Sequence, residues 1–144
     1  MAAIPYLAFD GTCAEAMRHY EKVLGFGARL ELLVSGADSP MAEQMPAEFR
    51  DRIMHARLAF DDGTFLYGGD APGNAPFPGM KGVSITMNYA TVAEAERVFN
   101  ALADGGQVQM PLQPMFWAKI FGMLVDRYGT PWTINGELQD VYAR

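Results

Sequence analysis

The sequence predicts an α+β domain built from two similar halves, each a strand, a helix and three further strands. Three observations predict it. A strand-then-helix opening occurs twice, before Thr12 and before Thr91. Glycine closes both helices. Each half then ends in alternating apolar residues that fold back through a glycine-containing turn.

The first strand is Ile4-Pro-Tyr-Leu-Ala-Phe9, short, apolar and aromatic. Asp10-Gly11 turns the chain, and Thr12-Cys-Ala-Glu15 has the capping-box pattern of a helix start. Ala16, Tyr20, Val23 and Leu24 then form one apolar stripe, and Gly25-Phe-Gly27 ends the helix. The second half repeats this with Val83–Tyr89 as strand, Thr91-Val-Ala-Glu94 as cap and Ala95, Phe99 and Leu102 as stripe. Asp104-Gly105-Gly106 closes that helix. Repetition of the whole order, rather than one common cap pattern, points to an internal duplication.

Strands are also expected at Arg29–Val34 and Gln107–Leu112. The hairpins are His55–Phe60 with Phe65–Tyr67, and Ile120–Val125 with Pro131–Ile134. Such an order places the helices on one face of a mostly antiparallel sheet. Ser35 to about Arg50 reads as a loop with room for a short helix. Gly68–Gly82, with five glycines and three prolines, reads as the connection between halves. The expected organisation is one domain over 1–144, with module one about 3–70, a linker about 71–82 and module two about 83–136.

Composition narrows the function classes. The 144 residues suit a single domain, and half of them are hydrophobic. No apolar run approaches the ~18 residues of a membrane span, and the start lacks a signal core. A net charge of −6, three lysines and eight scattered arginines argue against nucleic acid. The lone Cys13 fits a reducing compartment, so a cytoplasmic location is expected.

Three stretches of the second half, Met115-Phe-Trp-Ala118, Phe121-Gly-Met-Leu-Val-Asp126 and Tyr128-Gly-Thr-Pro-Trp-Thr-Ile-Asn135, carry a family resemblance. With Pro5-Tyr-Leu-Ala-Phe-Asp-Gly11 and the His55 strand leading to Gly69-Asp70, the chain resembles the PhnB-like branch of the glyoxalase/bleomycin-resistance/dioxygenase (vicinal oxygen chelate) superfamily over about residues 3–136. The resemblance implies paired βαβββ modules forming a curved mixed sheet around a cleft. It also implies homodimers. Enzymes of the superfamily hold a divalent metal through His and carboxylate ligands. The matching positions here fall near Pro5 or Tyr6, near Tyr67, at Ser84 and at Thr133, none a His or an acid. No metal and no cofactor are therefore expected. A methyltransferase label accompanies the family, yet no glycine-rich strand-to-helix loop for a nucleotide cofactor is visible.

The candidate catalytic residues are His55, Tyr67 and Asp70, placed by the strand reading near one mouth of the cleft. Histidine suits proton transfer near neutral pH, and an aspartate can fix its tautomer. The structural alternative gives His55 a backbone carbonyl and Asp70 a turn to cap. Met87, Trp117, Phe121, Met123 and Trp132 are the candidate ligand-binding residues, with core packing as their alternative. His19 reads as solvated, and Cys13 as a weak nucleophile candidate at a helix start.

The expected function is metal-independent binding of a small organic ligand. Two rivals stay open: a metal-dependent glyoxalase- or dioxygenase-type enzyme using His55 with Asp70 or Glu137, and a non-catalytic sequestering protein. The expected partners are a small-molecule ligand and a second copy of the chain, with no nucleic acid and no membrane.

Overall fold

The computed structural model describes residues 2–140, and it divides into two compact units between Gly79 and Met80. The first unit runs β1 (Tyr6–Phe9), α1 (Cys13–Val23), β2 (Arg29–Ser35), β3 (Ile53–Ala59) and β4 (Phe65–Asp70). Its sheet has the order β1-β4-β3-β2, with β1 parallel to β4 and the other pairs antiparallel. The second runs β5 (Ile85–Tyr89), α2 (Val92–Ala103), β6 (Gln107–Met115), β7 (Ala118–Val125) and β8 (Pro131–Leu138). Its order, β5-β8-β7-β6, repeats the same mixture of parallel and antiparallel pairs. The fold is thus α+β with two βαβββ modules. No helix among the described residues is long and apolar enough to cross a membrane.

Both helices bury most of the expected stripe, with Val23 only half-buried. On α1, Cys13, Ala16, Met17 and Tyr20 are fully buried, with Leu24 just beyond. They pack with Leu7, Phe9, Ala56, Leu58 and Leu66, from strand positions that alternate with the exposed ones. On α2, Ala95, Val98, Phe99 and Leu102 are buried with Leu124, Trp132 and Ile134 as the core of the second unit. Each buried Leu, Ile or Phe contributes roughly 1.5–3 kcal/mol relative to exposure, so these two stripes hold the helices to their sheets.

The helix starts differ from the sequence reading. Thr12 makes no side-chain cap hydrogen bond. Asp70, at the end of β4, takes its place: its Oδ1 accepts from the Gly11 amide at 2.9 Å and the Cys13 amide at 3.0 Å. On α2 Thr91 does cap, accepting from the Glu94 amide at 3.1 Å. Glu94, however, turns to Arg97 at 2.7 Å instead of reaching back to the cap. The Val92 amide donates to Glu137 of β8 at 3.0 Å. In both units a carboxylate from the last strand therefore serves the first turn of the helix, where orphan amides and the helix dipole favour negative charge.

Several strands also run further than expected, β4 and β6 among them. β4 continues through Gly68-Gly69 to Asp70 because these residues pair in parallel with Leu7, Ala8 and Phe9. A Cβ at Gly69 would lie 2.9 Å from Tyr6 Oη and 3.0 Å from the Met54 carbonyl oxygen. The glycine marks close approach inside a strand, not a loop. β6 extends past Pro111 and Pro114 to Met115, which the sheet tolerates because β6 is an edge strand with shifted register at several points.

Candidate functional site

The face of the first sheet away from α1 carries an aromatic and imidazole cluster. β1 supplies Tyr6, β3 supplies His55 and Arg57, and β4 supplies Tyr67. The pairs Tyr6↔Tyr67 and Arg57↔Tyr67 put these residues on one side, while Ala56, Leu58 and Leu66 occupy the other. Tyr6 lies on an edge strand and His55 two strands away, and the phenol spans the intervening β4. Only glycine at position 69 leaves room for that crossing.

Tyr6 Oη lies 3.2 Å from the Met54 carbonyl oxygen and 3.3 Å from His55 Nδ1. The rings of Tyr6 and His55 stack at 5.7 Å with an angle of 22° between planes. Tyr67 sets its edge against His55 at 5.0 Å and against Tyr6 at 6.3 Å. A phenol has one proton, and a carbonyl only accepts. The arrangement that satisfies all three atoms has Tyr6 donating to Met54 and His55 Nδ1–H donating to Tyr6. The neutral imidazole then carries its lone pair on Nε2, which makes no hydrogen bond among the described residues. Partial burial raises the Tyr6 phenol above its ordinary pKa, with the Cys13 thiol adding to the shift, so it remains a donor at neutral pH. Arg57 lies on the same face, with Nε 3.2 Å from Glu31 Oε1 and its guanidinium 5.8 Å over Phe65.

Asp70 does not join His55 and Tyr67. It lies three positions after Tyr67 along β4, an odd offset, so it faces the helix side with Leu66 and Gly68. Both its oxygens are taken: Oδ1 by the Gly11 and Cys13 amides, and Oδ2 by the Ile53 amide at 2.8 Å. The orienting group that the sequence suggested at Asp70 is Tyr6 instead. A hydrogen-bonding role for a tyrosine on a different strand leaves no local pattern, although the adjacent glycines were its one available sign.

The five candidate ligand residues also separate. Trp132 is fully buried, and its Nε1 donates to Asp126 Oδ2 at 2.8 Å, so it is core against α2. Met87 pairs with Ile134 and falls in the same helix-facing row. Phe121 and Met123 alternate with Gly122 and Leu124 and face the other way. Trp117 sits with Phe121, ring centroids 5.0 Å apart, and its Nε1 donates to Asn135 Oδ1 at 3.1 Å. Asn135 Nδ2 in turn donates to Asn88 Oδ1 at 2.9 Å.

Cys13 is not an activated thiol. Burial, with the Asp70 carboxylate adding to it, pushes its pKa up to about 12, outweighing the helix dipole. His19 is half-buried beside Tyr20 rather than solvated.

The positions aligned with the superfamily's metal ligands do not fit a divalent ion. In the first unit Tyr6 and Tyr67 pair across β1 and β4. In the second, Ser84 Oγ and Thr133 Oγ1 hydrogen-bond each other at 2.9 Å. These are neutral hydroxyls, whereas such ions need carboxylate or imidazole donors. No three His, Cys, Asp or Glu residues among the described residues are grouped to hold a metal. Asp70 and Glu137, the acids a rival reading would recruit, are committed to helix amides.

Comparison with known proteins fits this architecture. The sequence profile of the 3-demethylubiquinone-9 3-methyltransferase family matches residues 1–135. Protein YjdN of Escherichia coli is 33% identical, covering 94% of this chain and 95% of its own. The crystal structure of PA1353 from Pseudomonas aeruginosa is 47% identical with a TM-score of 0.85, over 95% of this chain and 98% of that one. A PhnB protein from Bacillus cereus shares the fold at 24% identity and a TM-score of 0.76, over 94% and 98% of the two chains. A glyoxylase/bleomycin resistance protein/dioxygenase domain from Frankia shares the fold at 12% identity and a TM-score of 0.60, over 95% and 97% of the two chains. The chain belongs to the 3-demethylubiquinone-9 3-methyltransferase family.

Proposed function

We propose that this protein binds a small organic molecule against Tyr6, His55 and Tyr67 and moves a proton through His55 Nε2, without a bound metal. The observation that supports this is the chain from His55 Nδ1 to Tyr6 Oη to the Met54 carbonyl. It holds the imidazole as one tautomer and directs its basic nitrogen away from the protein's own partners. Tyr67 and Tyr6 offer ring edges and faces to an unsaturated ligand.

Methyl transfer fits less well. A nucleotide cofactor would draw on free amides at a strand-to-helix turn. In the first unit the Gly11 and Cys13 amides are taken by Asp70, and in the second the Val92 and Glu94 amides are taken by Glu137 and Thr91. Action as a homodimer in the cytoplasm belongs to the same proposal. Each sheet has unpaired edge strands within its unit, which favours pairing between copies.

The test is a fragment screen of small aromatic alcohols and ketones against ¹⁵N-labelled protein. Binding fragments are expected to shift the signals of His55, Tyr6 and Tyr67 and to lose affinity in His55→Ala. Shifts confined to other residues would overturn the reading.

A further inference from the structure

We infer that the first unit holds a second binding site, for a small uncharged aromatic molecule. None of Tyr6, His55 and Tyr67 lines it, so it does not rest on the reading given for His55.

A cavity of about 210 Å³ lies where the segment 36–52 meets the start of β3 and the end of β4. That is below the roughly 300–1,000 Å³ of sites for drug-sized ligands. It exceeds the roughly 150 Å³ of an apolar cavity that takes up benzene, so it suits a single-ring molecule. Backbone and side-chain hydrogen bonds hold the wall in place. The Gly36 and Ala37 amides donate to the Arg52 and Arg50 carbonyls at 2.9 Å each, and Arg50 Nε donates to the Ala42 carbonyl at 2.9 Å. The 3₁₀ turns Ala42–Gln44 and Ala47–Phe49 lie in this pinned segment, which brings Met45 and Phe49 to the cavity. Met54 enters from β3. Val34 pairs with His55 and Ser35 with Ile53, so Met54 is the extra residue of a bulge. A bulge re-aims its side chain, and that of Met54 joins the lining.

The lining selects a neutral ligand. Two charged residues reach it, and both are already matched. Arg52 donates to Asp10 Oδ1 at 2.9 Å and to the Ala71 carbonyl at 2.7 Å. The Asp70 oxygens hold the Gly11, Cys13 and Ile53 amides. A charged ligand would lose its water here and gain no partner. The lining also favours a ring over an alkyl chain. The Met45 and Met54 thioethers, the Phe49 ring and the Arg52 guanidinium all surround the cavity. Each attracts an aromatic ring beyond simple burial. Met54 is 38% exposed, so the cavity opens to solvent beside it.

The experiment labels the methionine methyl groups of the full chain with ¹³C and titrates it with toluene and with benzoate at pH 7. Toluene is expected to shift the Met45 and Met54 methyl signals to saturation. Benzoate, the same ring carrying a carboxylate, is expected to leave them in place. Ala71→Leu, which fills the cavity, is expected to weaken toluene about tenfold, the effect of surplus methylenes in an apolar pocket. Met45→Lys alters the wall from outside the sheet and is expected to weaken toluene too, read on Met54, so the test stands if Ala71→Leu does not fold. His55→Ala is expected to leave the toluene affinity unchanged. Methyl signals indifferent to toluene, equal shifts with benzoate, or unchanged affinity in the two cavity variants would overturn the inference. So would loss of binding in His55→Ala, which would put toluene at the His55 cluster.

Discussion

Tyr6 Oη and His55 Nδ1 stand 3.3 Å apart although a whole strand separates their backbones. Gly69 makes this possible. The phenol passes over a β4 position that has no side chain, and a Cβ there would meet Tyr6 Oη at 2.9 Å. Replacing Gly69 with Ala is expected to displace Tyr6 and break its contact with His55. The expected cost is about 1–3 kcal/mol, typical of overpacking. Urea denaturation gives the loss, and the His55 ring signals report the broken contact.

Asp70 is a structural carboxylate in this fold. It accepts from three amides, at the start of α1 and at the start of β3. Asp70→Ala is expected to lower stability by about 2–4 kcal/mol, because a cap and further charge-assisted hydrogen bonds go together. Any ligand bound at His55 should keep its affinity as long as the variant remains folded. Paired denaturation and binding measurements separate this outcome from a catalytic role, which would spare stability and abolish function.

The sequence made the modules legible and the carboxylate roles obscure. Apolar periodicity located both helices, since Ala16, Tyr20, Ala95, Phe99 and Leu102 are buried as their spacing required. Alternation located the hairpins. Asp70 was misplaced because Gly68-Gly69 resembles a loop, and only the tertiary crossing of Tyr6 explains glycine inside a strand. Met87 and Trp132 were assigned to a ligand surface because alternation alone does not say which side of a sheet the helix covers. The cap at Cys13 comes from a residue far along the chain, which no local pattern contains.

Cys13 should be inert in the folded state. Burial is the main cause of its raised pKa, about 12 against an ordinary 9.0. A thiol reagent such as 5,5′-dithiobis(2-nitrobenzoate) at pH 8 is expected to react only as the protein unfolds. The linkage has a definite sign. The folded value is raised, so this contribution to stability is complete below pH 9.0 and is lost as pH rises toward about 12.

Glu137 adds a pH dependence on the acid side. The Lys119 ammonium, with the Val92 amide second, holds its carboxyl below the ordinary 4.5. A lowered folded pKa means that the contribution is present above pH 4.5 and is lost as pH falls through the folded value. Glu94, held down by Arg97, acts in the same direction. Melting temperatures measured from pH 7 to pH 3 should fall in this range. Glu137→Gln should flatten the fall, and an equally steep profile in that variant would contradict the assignment.

The state of His55 is the most direct test. Two-bond ¹H–¹⁵N correlations of the imidazole distinguish its two neutral tautomers. The expected result is protonation at Nδ1 in the native protein, with a shift toward the Nε2–H form in Tyr6→Phe, where the accepting oxygen is gone. A native His55 protonated at Nε2, or a tautomer indifferent to Tyr6→Phe, would contradict the proposal that Nε2 is the proton acceptor.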